Sequence, residues 1–70
     1  MKTPSLSYLK IIKILETYGY SVRRQSGSHI ILEHESNEKI VVVPRHDPVR
    51  KGTLLNIIRH TGLTKDEFLT

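Results

Sequence analysis

The stretch Tyr20-Ser21-Val22-Arg23-Arg24-Gln25-Ser26-Gly27-Ser28-His29-Ile30-Ile31-Leu32-Glu33 decides how this chain folds. Its side chains alternate with a period of two, the spacing of strands whose two faces meet different surroundings. Ser26-Gly27 interrupts the alternation with turn residues, so the segment is expected to double back as two strands, residues 20–25 and 28–33. After the polar connection 34–38, the β-branched run Lys39-Ile40-Val41-Val42-Val43 gives a third strand, ended by Pro44. Connections this short make an antiparallel three-stranded meander.

On either side the period changes to that of a helix. Tyr8, Ile11, Ile12, Leu15 and Tyr18 recur at helical spacing over residues 7–18, with Lys10, Lys13, Glu16 and Thr17 on the other side. Ser7 is the expected N-cap and Gly19 the left-handed residue that ends the helix. Residues 45–50 form an irregular connection. A second helix follows over residues 52–61, with Leu54, Leu55, Ile57 and Ile58 apolar and Gly62 as its stop. Thr64-Lys65-Asp66-Glu67 reads as a capping box opening a last helical turn through Phe68 and Leu69. The expected fold class is α+β in the order α-β-β-β-α, with both helices on one face of the sheet and a short C-terminal helix.

Register determines which sheet face meets the helices. Centring the second connection on Ser36 sets His29 opposite Val43 and Ile31 opposite Val41, and the tighter first turn sets Arg24 opposite His29. One face then collects Ile30, Leu32, Ile40 and Val42, with Arg23 its one charge. The other collects His29, Arg24, Glu33 and Lys39 with Val22, Ile31, Val41 and Val43. Charges belong in water unless paired, so the first set is expected to face the core and His29 to face out. The aliphatics left beside His29 make an apolar patch, which on a small soluble domain marks a partner surface.

Length and charge narrow the function. The 70 residues leave room for a single domain, and a chain this short buries only about 60% of the surface its unfolded form exposes. There is no cysteine, hence no disulfide framework or thiolate metal site. Met1-Lys2-Thr3-Pro4 leads into no apolar run of signal-peptide or membrane length, so a cytoplasmic protein with no membrane partner is expected. A net charge of +4 and a pI near 9.7 point to a polyanionic partner, either nucleic acid or an acidic protein surface.

Four pieces in order carry a resemblance. Arg24-Gln25-Ser26-Gly27-Ser28-His29, Val43-Pro44-Arg45-His46, Lys51-Gly52-Thr53-Leu54 and Gly62-Leu63-Thr64 resemble the pattern of the HicA toxin family, over a span from about Leu6 to the C-terminus. No motif position departs from it, although Ile30 stands where many relatives carry a second histidine. The resemblance implies a double-stranded-RNA-binding-like fold across one domain, residues 1–70. It also implies ribosome-independent cleavage of mRNA, neutralisation by a HicB-type antitoxin, and a catalytic role for His29.

The chemistry of the residues is compatible with that implication. RNA can be cleaved without a metal because its own 2′-hydroxyl attacks the adjacent phosphate, which leaves the enzyme to move protons and offset charge. An imidazole suits proton transfer near neutrality. Gly27 permits a tight turn and close approach of a backbone, and Ser28 offers a hydroxyl to a phosphate. Arg24, Arg45 and Lys51 are candidate phosphate contacts, and His46 a candidate second proton carrier.

Duller roles exist for each. A strand histidine is ordinarily a half-exposed polar residue, His46 caps a strand end equally well, and arginines are ordinarily solvated. A non-catalytic RNA-binding module of the same fold is the alternative function, and a small protein-interaction domain is a third. No cofactor or metal is expected. His29 and His34 are five apart and point to opposite faces of a continuous strand, His60 sits near a helix C-terminus, and the carboxylates Glu33, Glu35, Glu38 and Asp47 are scattered.

Overall fold

A computed structural model describes residues 6–68. The order is α1 (Tyr8–Thr17), β1 (Tyr20–Ser26), β2 (His29–His34), β3 (Ile40–Pro44) and α2 (Lys51–Thr61), closed by a short 3₁₀ turn, Lys65–Phe68. The three strands form one antiparallel sheet in the order β1-β2-β3. This is the α+β, α-β-β-β-α architecture read from the sequence, of double-stranded-RNA-binding type.

The helix ends follow from their capping residues. The Ser7 side chain accepts the Lys10 N–H at 3.2 Å, and Gly19 leaves α1 with φ +97. Gly62 ends α2 with φ +78, its N–H donating to the Ile58 carbonyl. The terminal segment departs from expectation. It winds as a 3₁₀ turn in which the Glu67 N–H donates to the Thr64 carbonyl, and no capping-box side-chain bond forms among the described residues. Phe68 is fully buried, while Leu69, expected in the same turn, lies outside the described residues.

The core lies between one sheet face and the helices. Ile11, Ile12, Ile14 and Leu15 of α1 and Leu54, Ile57 and Ile58 of α2 close over Tyr20, Ile30, Leu32, Val41 and Val43. Each fully buried aliphatic side chain contributes about 1.5–3 kcal/mol of transfer free energy. Tyr18, expected on the apolar stripe of α1, is instead 41% exposed, and Ile14 takes its place. Leu6, just before α1, bridges to Val49 in the connection before α2.

Two register corrections change the composition of the faces. In β2–β3 the partners are His29 with Pro44, Ile30 with Val43, Ile31 with Val42, Leu32 with Val41 and Glu33 with Ile40. His34 extends β2, its N–H donating to the Lys39 carbonyl, so the hairpin closes on the His34–Lys39 pair with four residues, 35–38, between them, rather than five centred on Ser36. An even loop moves the axis of the hairpin by half a residue and turns β3 over. Val41 and Val43 face the core, and Ile40 and Val42 face out. In β1–β2 a bulge between Val22 and Arg24 takes up an extra residue, so Arg24 pairs with Ile31. Arg23, expected on the core face, instead holds Glu33 of the open face in an ion pair at 3.0 Å.

Candidate active site at the Gly27 turn

The β1–β2 turn is the two-residue connection Gly27-Ser28. Gly27 has φ +58 and Ser28 does not share the positive φ, the distribution expected of a type II′ hairpin with glycine first. A Cβ at Gly27 would meet nothing within 4 Å, so glycine is needed there for its backbone angle and not for space. The Ser28 carbonyl accepts the Arg45 N–H at 2.6 Å, which fastens the turn to the end of β3.

His29 opens β2 on the face turned away from the helices, and it is exposed. Its direct cross-strand partners are Ser26 and Pro44, in place of the expected Arg24 and Val43. Arg24, paired with the next outward residue Ile31, is a diagonal neighbour of His29, a relation in which long side chains still meet. Pro44 fits this strand because its missing N–H falls on the outer edge, where β2 needs no donor. Ser26 is the residue that sequence reasoning missed, since placing the turn at Ser26-Gly27 took it out of the strand.

The remaining candidates lie in the connection that follows β3 and at the start of α2. Arg45 stands opposite Ser28, and His46 follows with its N–H on the Pro44 carbonyl at 2.8 Å. Lys51 opens α2, and Arg50 is its N-cap. Arg45, His46, Arg50 and Lys51 are all exposed. The first turn of α2 has neither a side-chain cap nor an acidic residue, so its free N–H groups and positive dipole end add to the charge of Arg50 and Lys51. Arg50 was legible only as part of a connection, because nothing in the run Arg50-Lys51 marks which residue caps the helix.

The four histidines divide into two kinds. His34 Nε2 donates to the Tyr18 carbonyl at 3.0 Å, and His60 Nε2 to the Ile40 carbonyl at 2.8 Å. These two hold the fold together. His29 and His46 form no side-chain hydrogen bond among the described residues and remain open to a ligand. Among those residues no three of His, Cys, Asp and Glu converge as metal ligands would. No helix among them is long and apolar enough to cross a membrane.

The aliphatic side chains on the open face are Ile31, Ile40 and Val42, the last two 53% and 46% exposed. The expected patch of Val22, Ile31, Val41 and Val43 is thus corrected on β3, whose two buried valines belong to the core. Val22, 45% exposed, pairs with Leu32 at the start of the bulge.

The α-β-β-β-α order with a three-stranded antiparallel sheet is that of the double-stranded-RNA-binding-like class. Within that class, the family model described as the HicA toxin of bacterial toxin–antitoxin matches residues 9–63, and the chain belongs to that family. A toxin role with an antitoxin as partner follows from membership. No curated protein matches the chain.

Proposed function

We propose that this protein is an mRNA-cleaving toxin that works without a metal, that His29 moves the proton, and that a HicB-type antitoxin silences it. The observation that carries the reading is the division of the histidines. Within a toxin family, the imidazole at the turn is exposed and uncommitted, while His34 and His60 are engaged in the fold. His29 removes the proton of a 2′-hydroxyl, whose oxygen bonds to the adjacent phosphorus as the bond to the 5′-oxygen breaks. Arg24, Arg45 and Lys51, with the Ser28 hydroxyl and the open backbone of Gly27, offset charge on the phosphoryl oxygens. His46 stands at the same end as a candidate donor to the leaving oxygen.

The test is RNA cleavage by the purified chain in EDTA, with RNA affinity measured alongside. His29→Ala is expected to lose about 10²–10⁴-fold in rate while keeping its affinity. Equal cleavage by both proteins would remove His29 from the mechanism. Binding without cleavage by the wild-type chain would favour a non-catalytic RNA-binding module, which the fold also supports.

The antitoxin covers the open face, where Ile31 and Val42 stand next to His29 and Ile40 continues the apolar surface, and so keeps RNA away from the imidazole. Ile31→Lys is expected to weaken the toxin–antitoxin complex, measured by calorimetric titration. An unchanged affinity would place the antitoxin elsewhere.

A further inference from the structure

The nuclease reading leaves one feature unused, a groove of about 760 Å³ between the outer edge of β3 and the flank of α2. Ile40, Val42, Thr53, Ile57, Arg59 and His60 are among the residues that line it. The sheet order makes β3 an edge strand, and the ladder to β2 shows which of its peptide groups are free. His34 N–H donates to the Lys39 carbonyl and Arg45 N–H to the Ser28 carbonyl. By the alternation of an antiparallel ladder, residues 39, 41, 43 and 45 turn their peptide groups toward β2, and Ile40, Val42 and Pro44 turn theirs outward.

The carbonyls at the two ends of this edge are already occupied. The Ile40 carbonyl accepts His60 Nε2, while Pro44 has no N–H and its carbonyl accepts the His46 N–H. Val42 stands between them, with neither its N–H nor its carbonyl bonded among the described residues. It is a short window for one added strand.

We propose that this groove takes an extended acidic segment of a partner protein, which pairs with Val42 as a fourth strand. The proposal does not rest on RNA cleavage, though it shares Ile40 and Val42 with the open face assigned above to the antitoxin. Because His60 reaches the outward carbonyl of Ile40, the C-terminal half of α2 overhangs the edge and roofs one face of an added strand. That roof carries Arg59 and His60, no carboxylate lines the groove, and the whole chain has a charge of +4. On the opposite face Ile40 and Val42 flank the added strand with apolar surface. The matching segment therefore alternates acidic and aliphatic residues. A second copy of this chain fits poorly, since it brings its own α2, which carries Lys51 and Arg59 and no carboxylate, over the same side of β3. RNA makes no use of a strand edge flanked by isoleucine and valine.

The experiment titrates the full ¹⁵N-labelled chain with the capped peptide Val-Glu-Val-Glu-Val-Glu, using Val-Lys-Val-Lys-Val-Lys as the control. The Val42 amide is expected to shift and to gain protection from exchange, with the acidic peptide binding about tenfold more tightly. Val42→Pro removes only an outward N–H and is expected to abolish binding. Arg59→Glu is expected to reverse the preference between the two peptides, and it decides the matter should the proline variant not fold. Equal affinity for both peptides would overturn the proposal, as would a Val42 amide that does not respond. So would a Val42 amide protected without peptide in a chain that sediments as a dimer, or one that responds to an RNA oligonucleotide instead.

Discussion

His34 joins three pieces of chain through one ring. Nε2 donates to the Tyr18 carbonyl, Nδ1 accepts the Ser36 N–H at 3.1 Å, and the ring meets Tyr20 edge-on at 4.8 Å between centroids. A carbonyl only accepts, so the proton sits on Nε2 and the neutral ring serves both bonds. The ring also excludes a side chain at Gly19, where a Cβ would lie 2.8 Å from Nε2. None of this was legible in the sequence, where His34 began a polar loop and was weighed only as a metal ligand. Its partners are set by where α1 stops and where the second hairpin closes. Beside it Tyr20 is 5% exposed, and burial pushes its phenol above the usual value of 10.0. The folded chain keeps this proton at a pH where the unfolded chain has released it. Stability is therefore full below about pH 10 and falls as pH rises through the folded value. Tyr20→Phe is expected to remove this alkaline loss, read from urea midpoints between neutrality and high pH, whereas an identical decline in both proteins would exclude Tyr20 as its source.

Strand β3 shows what a pattern of residues leaves undecided at the scale of an element. The run Ile40-Val41-Val42-Val43 is apolar throughout, so its composition favours a strand without choosing a face. The choice rests on the loop, whose four residues include Glu38 at φ +59 and Asn37 Oδ1 accepting the Lys39 N–H. Glutamate is not a residue from which a left-handed angle is read, so the sequence alone does not show that the loop closes one residue shorter. The helices were legible because Ser7, Gly19 and Gly62 mark them by type, and Gly27 marks the β1–β2 turn without saying which neighbour completes it. The consequence for β3 is measurable. Val41 is 2% exposed and Val42 46%. Val41→Lys is expected to cost about 3 kcal/mol or more through a buried charge, and Val42→Lys under about 1 kcal/mol. Denaturant titration of both variants checks it, and the opposite order would restore the other register.

At the scale of the molecule, the family match ends at residue 63, but the core continues beyond it. Phe68 is fully buried, and its 3₁₀ turn packs against α1. A chain of 70 residues has few large side chains to spare. Phe68→Ala is expected to cost about 3–5 kcal/mol, most of the stability of a domain this small. A thermal midpoint within a few degrees of wild type would show that the turn is dispensable.

The candidate site was legible in its residue types and its end of the sheet. The neighbours of His29 were not, because they depend on a bulge and a loop length.

The connection between β3 and α2 is tied at both ends. Arg45 N–H is held by the Ser28 carbonyl, and Val49 N–H by the Leu6 carbonyl at 2.8 Å. An arc this short, fixed twice, presents Arg45 and His46 with little backbone freedom left to lose. A ligand that docks there meets a backbone already in place, so its affinity is not reduced by the entropy of ordering a loop.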